Sequence, residues 1–130
     1  MDNNLNYGVV GNCRTAALVS ARGTIEWMCL PDFDSPSVFA SLLDRRKGGC
    51  FGFDVAEEYR ISQAYIPHTN ILATTFSADE GKFVILDFMP CYRSRRDEHY
   101  MPPELYRYVR WVRGRPRLRV HYAPAPDYAR

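Results

Sequence analysis

Apolar and polar residues alternate along most of this chain with a period of two, which places every second side chain on one face of a strand. Residues 15–20 and 24–30 are two such runs, joined by Ala21-Arg22-Gly23, where Gly23 can supply the positive φ of a tight hairpin. The same alternation puts Ile25, Trp27 and Cys29 on one face and predicts a mostly buried Trp27. Further runs follow at 50–53, 59–62, 71–76, 83–88, 106–112 and 118–122. The Ala78-Asp79-Glu80-Gly81 stretch reads as a hairpin turn between the third and fourth of these. Gly114-Arg115-Pro116 reads as the turn that pairs the last two. Runs 71–76 and 83–88 carry apolar residues on both faces. They therefore call for cover on two sides, around Phe76, Phe83, Ile85 and Phe88.

One stretch breaks the alternation. Ser35 suits a helix N-cap and Pro36 the first helical position, and Val38, Phe39, Leu42 and Leu43 recur at helical spacing. Arg45, Arg46 and Lys47 then complement the negative end of a helix dipole before Gly48-Gly49 stops it. The expectation is one short helix near residues 36–47 in an otherwise mainly β chain, built as an antiparallel β-sandwich, in part or whole.

Length and composition sharpen this without changing it. The 130 residues suffice for a single domain, 1–130, and the apolar share of 46% with 25% charged residues is that of a folded globular chain. No apolar run approaches the roughly 18–20 residues a membrane-spanning helix needs, so no membrane partner is expected. Met1-Asp2-Asn3-Asn4 lacks the basic and then apolar start of a secretory signal, which predicts a cytoplasmic location. Cys13, Cys29, Cys50 and Cys91 have no metal-ligand or redox spacing, and His68, His99 and His121 are scattered. All four cysteines are expected as small buried hydrophobes, with no metal and no cofactor.

Charge is distributed unevenly. Residues 1–90 hold 7 basic and 11 acidic side chains, whereas residues 91–130 hold 10 arginines and 4 acids. Arginines that alternate with strand formers read first as the solvated face of edge strands. The rival reading is a nucleic-acid or phosphate contact through Arg107, Arg110, Arg113, Arg115, Arg117 and Arg119, and it is the weaker one.

Candidate chemistry is sparse. Asp32 and Asp34 stand two residues apart beside Trp27 and Phe33, which offer sugar-stacking surfaces; the plainer account has Asp34 orienting a helix start and Asp32 solvated. Arg14 follows Gly11-Asn12-Cys13, a loop entering a strand. It suits a sugar contact, a domain contact or a local pair with an acid such as Asp34. Asp87 lies inside the apolar run 84–89, where a carboxylate needs a partner, and an arginine of the C-terminal block is the natural one.

The stretch from Tyr7-Gly8-Val9-Val10-Gly11-Asn12-Cys13-Arg14 through Gly23-Thr24-Ile25-Glu26-Trp27 to Phe33-Asp34-Ser35-Pro36 strongly resembles the N-terminal domain of glycoside hydrolase family 15. Pro67-His68-Thr69-Asn70, Leu86-Asp87-Phe88-Met89-Pro90 and the ending Pro124-Ala125-Pro126-Asp127-Tyr128 continue the resemblance in order. That family comprises glucoamylases, glucodextranases and trehalases. It usually has aspartate where this chain has Asn12 and Glu26, and arginine or another polar group in place of Asp32. The resemblance implies a β-sandwich that precedes an (α/α)6 barrel, with both catalytic carboxylates in the barrel and inverting hydrolysis of α-glucosidic bonds. No catalytic residue is thereby assigned to this chain. Arg14, Trp27, Asp32, Phe33 and Asp34 are the candidates for substrate or barrel contact. The implied partners are the barrel, in the same or a separate chain, and α-glucans or trehalose. Self-association is expected if a sandwich face lacks its cover. Two alternatives stand beside this reading: a free-standing carbohydrate-binding module using Trp27, Phe33 and tyrosines, and the arginine-rich nucleic-acid or phosphate binder.

Overall fold

The computed structural model describes residues 6–129. The opening residues 1–5 and the side chain of Tyr128, both used in the sequence reading, lie outside the described residues. The chain is mainly β and antiparallel throughout. Its strands are β1 (Tyr7–Gly11), β2 (Ala16–Ser20), β3 (Ile25–Cys29), β4 (Ser37–Phe39), β5 (Cys50–Asp54), β6 (Arg60–Tyr65), β7 (Leu72–Ala78) and β8 (Gly81–Phe88). The short β9 (Tyr92–Arg93) and β10 (His99–Tyr100) pair only with each other, and β11 (Tyr106–Gly114) and β12 (Arg119–Ala123) complete the set. One sheet runs β1-β2-β3-β5-β12 with β4 alongside β3; the other runs β11-β8-β7-β6. The two sheets face each other as a sandwich.

The hairpin signals place these strands well. Gly23 takes φ 78° between β2 and β3, and Asp79-Glu80 turn β7 into β8 in strict two-residue register. The last pair is a correction. β11 and β12 do not form a hairpin: β11 pairs with β8 and β12 with β5, so the Arg115–Leu118 link crosses from one sheet to the other.

The expected helix at 36–47 is absent. Ser37–Phe39 pairs as a strand with β3, and the rest of the stretch is turns. The Asp44 carboxylate accepts the backbone N–H of Arg46 (2.8 Å) and Lys47 (3.1 Å), while the amide of Leu42 donates to the Glu26 carbonyl (2.9 Å). Side-chain bonds of this kind give the backbone an alternative to the helical ladder. Leu42 and Leu43, half of the supposed helical stripe, are exposed.

The facing of Trp27 is a second correction. Leu18 pairs with Trp27 but Val19 pairs with Ile25, so Glu26 is the extra residue of a β-bulge. The bulge flips the phase: Ile25 and Met28 enter the core, and Trp27 lies half-buried beside Leu18. The cysteine expectation also holds only in part, because Cys29 is buried and Cys50 half-buried while Cys13 and Cys91 are exposed, all four as free thiols.

Two apolar clusters fill the sandwich. One gathers Val10, Ala17, Val19, Ile25, Met28, Phe39, Leu72 and Met89; the other gathers Phe53, Tyr59, Phe76, Ala78, Phe83 and Ile85, and Phe51 packs against both. Phe76 and Phe83 stack at 4.7 Å between ring centres. The inner faces of β7 and β8 are thus fully covered by this chain itself. Their outer faces are half-buried.

Asp87 meets an arginine of the C-terminal block, as its apolar context requires. Arg107 Nε donates to its Oδ1 at 2.7 Å and Nη2 to its Oδ2 at 3.0 Å, with both side chains almost completely buried. The remaining guanidinium donors reach the carbonyls of Phe51 (2.7 Å) and Gly23, and the Phe51 and Phe53 rings each lie 4.8 Å from the guanidinium carbon. Burial pushes the Asp87 pKa up, and the hydrogen bonds and charge of Arg107 pull it back. One ion pair on β8 and β11 thereby grips the backbone of the opposite sheet.

Candidate functional site

Three loops meet at one end of the sandwich: residues 12–15, 30–35 and 101–102. Asn12 organises the first. Its side-chain oxygen accepts the amides of Arg14 (3.0 Å) and Thr15 (3.1 Å), a turn that Asn makes readily, and Cys13 between them takes φ 71°. The Asn12 side-chain amide donates to the Pro102 carbonyl at 2.8 Å, and the residue is 1% exposed. An aspartate here would set a carboxylate against that carbonyl with no proton to offer. Thr15 closes the loop base by donating its hydroxyl to the Cys29 carbonyl.

Arg14 is aimed by this turn. Its Nε donates to Asp32 Oδ1 at 2.9 Å and its Nη1 to the Met101 carbonyl at 3.3 Å, while its own carbonyl accepts the amide of Phe33 at 3.0 Å. Asp32 raises the already high pKa of Arg14, by hydrogen bond first and by charge second. Asp32 is itself fixed by Ser35, whose hydroxyl accepts the Asp32 amide at 3.1 Å. Both side chains remain partly exposed, at 37% and 44%. Phe33 stands half in solvent at 53%, and Asp34 is exposed.

The structure therefore unites Arg14, Asp32 and Phe33. The partner of Arg14 is Asp32 and not Asp34, and Asp34 has no helix to orient. Trp27 lies on the body of β3 and no hydrogen bond joins it to this cluster. Asn12, Met101 and Pro102 were missed from sequence; the Asx-turn character of Asn12 was legible, whereas its partner 90 residues away was not. Chemically the cluster is a partly exposed ion pair, Arg14–Asp32, with the exposed Phe33 next in the chain and tied to Arg14 through its backbone amide. Among the described residues no group of three or more His, Cys, Asp and Glu side chains is placed to hold a metal ion.

The sequence model of the family described as "Trehalase-like, N-terminal" matches residues 6–130. The chain belongs to that family. It is 37% identical to a trehalase of Thermoplasma volcanium over 130 residues, covering 94% of this chain and 20% of the relative. It is 35% identical to a trehalase of Mycolicibacterium smegmatis over 141 residues, again covering 20% of that protein. A shorter match, 45% identity over 83 residues, relates it to trehalase 1 of Sulfolobus acidocaldarius, of which it covers 14%. The domain thus spans about a fifth of the length of the curated relatives it matches. No solved structure matches it.

Proposed function

We propose that this chain is the non-catalytic N-terminal β-sandwich of a family 15 glycoside hydrolase. The parent enzyme hydrolyses α-glucosidic bonds, of trehalose or of α-glucans, with inversion in an (α/α)6 barrel. The sandwich supports that barrel, and the Arg14–Asp32–Phe33 loops are its contact with the barrel or with the rim of the substrate cleft. The observation that carries this reading is the family match over residues 6–130 in a chain that corresponds to a fifth or less of each trehalase it matches. The acids to which the sequence drew attention point the same way. Inverting hydrolysis needs a proton donor and a base about 6.5–9.5 Å apart across the sugar, whereas Asp32 holds Arg14 and Asp87 holds Arg107.

The test is direct. The purified 130-residue chain should release no glucose from maltose, trehalose or starch. Turnover that disappears in Asp32→Asn or Asp34→Asn would overturn the reading.

A further inference from the structure

Strand β11 is nine residues long, and only Arg107 within it is not exposed. The register shows why this is unusual. Val109 pairs with Ile85 and Trp111 with Phe83, residues 0% and 1% exposed, so both point to the inner side of the sandwich. Yet Val109 is 43% and Trp111 65% exposed. The opposite sheet repeats the pattern at its own edge. Val120 pairs with the core residue Phe53 and Tyr122 with Phe51, and they are 54% and 62% exposed. Each edge strand thus leaves inward-directed apolar side chains open to solvent, with the Tyr122 ring resting edge-on against Phe51 (5.0 Å) and Phe39 (6.0 Å) of its own sheet. The outer edge of β11 pairs with no strand among the described residues.

An edge meant to remain free is short, polar or blunted by inward charge. This one is nine residues long; its one inward charge, Arg107, is neutralised by Asp87, and ahead of the bulge at Trp111/Arg113 its other inward residues, Val109 and Trp111, are apolar, as in a strand of a closed sandwich. Its arginines select the occupant. Arg110, Arg115 and Arg117 make no ion pair among the described residues. A second copy of this chain would bring the same arginines to the contact, whereas an acidic segment would neutralise them. The matched trehalases carry four-fifths of their length outside the segment seen here.

We propose that the β11/β12 flank is a docking surface for an extended segment from the remainder of a trehalase-length polypeptide. This segment adds to the edge of β11, places apolar side chains between Val109, Trp111, Val120 and Tyr122, and turns acidic ones toward the arginines. Strand addition of this kind draws affinity from the main chain and specificity from alternate side chains. The proposal rests on the reading of this chain as one domain of a longer hydrolase and names a second surface that joins it to the rest.

The experiment uses full-length Thermoplasma volcanium trehalase with arginine placed, one at a time, at the positions aligned with Val109 and Val120. A third variant, at the position aligned with the exposed Leu43, serves as control. The first two should lower the folded-to-unfolded ratio in mild denaturant ~10-fold or more, as expected of an unpaired charge forced into an interface, and the control should not. In the 130-residue chain alone, Val109→Arg should leave the denaturation midpoint unchanged, and in a Trp27→Phe background Trp111 fluorescence should be that of a solvent-exposed indole. Harmless substitutions in the full-length enzyme would overturn the proposal. So would a free chain that sediments as a dimer broken by Val109→Arg, because the occupant would then be a second copy. Hydrolysis by the free chain would instead overturn the functional reading, so the two failures are distinguishable.

Discussion

The two flanks of the sandwich solve the same problem differently. Where β1 and β6 meet, side chains stitch the free edges together. The Tyr65 hydroxyl accepts the Val9 amide at 2.8 Å and donates to the Val9 carbonyl at 2.9 Å, supplying both bonds that a neighbouring strand would have made. Gln63 of the same strand donates to the Ser20 carbonyl and to the Thr74 hydroxyl, each at 3.0 Å. Between the edges of β11 and β12 no hydrogen bond forms among the described residues, and Val109, Trp111, Val120 and Tyr122 are exposed. The polar flank is finished by its own residues; on the apolar flank Arg107 reaches the opposite sheet, and Arg113 ties the end of β11 to the Ala78 carbonyl (2.9 Å). Exposed apolar surface on a strand therefore means little until its register partner is known, since Val109 is informative only because Ile85 beside it is fully buried.

The sharpest way to break the comparison is at Arg107. Arg107→Met should destabilise the chain by about 3–5 kcal/mol in urea denaturation, because it leaves a buried carboxylate without its partner. The double variant Arg107→Met/Asp87→Leu should recover a substantial part of that loss. A loss below 1 kcal/mol in the single variant would mean that β11 is fastened by something else. On the closed flank the test is steric. A β-carbon at Gly8 would lie 2.5 Å from a Leu72 methyl, and Gly8→Ala should cost about 1–3 kcal/mol as the flank is forced apart. Equal tolerance of Gly8→Ala and Val109→Thr would erase the distinction between a packed flank and an open one.

The smallest effect sharpens the closed flank by pH. Tyr7 on β1 donates its hydroxyl to Glu26, and that bond, with burial second, pushes its pKa from 10.0 up to about 12. The unfolded chain loses this proton first. The stabilisation is therefore complete below pH 10 and fades as pH rises through 12. Tyr7 is partly exposed, so the contribution should be under ~1 kcal/mol. The difference in unfolding free energy between the parent chain and Tyr7→Phe should stay constant below that window and shrink across it. A difference that does not change with pH would show that the Tyr7–Glu26 bond does not hold β1 in place.

Local chemistry and two tight hairpins, β2–β3 and β7–β8, were legible in the sequence, and longer-range pairing was not. Gly23, the Asp79-Glu80 turn and the need of Asp87 for an arginine all follow from properties of a few adjacent residues, and each is met. The stretch 36–47 misled because Ser35-Pro36 and the Arg45-Arg46-Lys47 run satisfy helix rules, while the competing bonds come from Asp44 locally and from Glu26 at a distance. The final hairpin misled because a turn-like Gly114-Arg115-Pro116 does not say which sheet the next strand joins. Of the candidate site, Arg14, Asp32 and Phe33 were found from their neighbours in sequence. Asn12 gained its role from Pro102, a contact that no short-range pattern encodes.

Glu26 carries a consequence for the chain's tolerance of length changes. A strand is read two residues at a time, much as a message is read in triplets, and the bulge is a one-residue insertion already absorbed into that reading. Deleting Glu26 would restore regular alternation, with Ile25, Trp27 and Met28 still opposite Val19, Leu18 and Ala17, so both core residues would stay inside. What the deletion would remove are two acceptors, those of the Tyr7 hydroxyl and the Leu42 amide. A substitution at Glu26 costs one bond and its deletion two, and neither changes which half of β3 is inside.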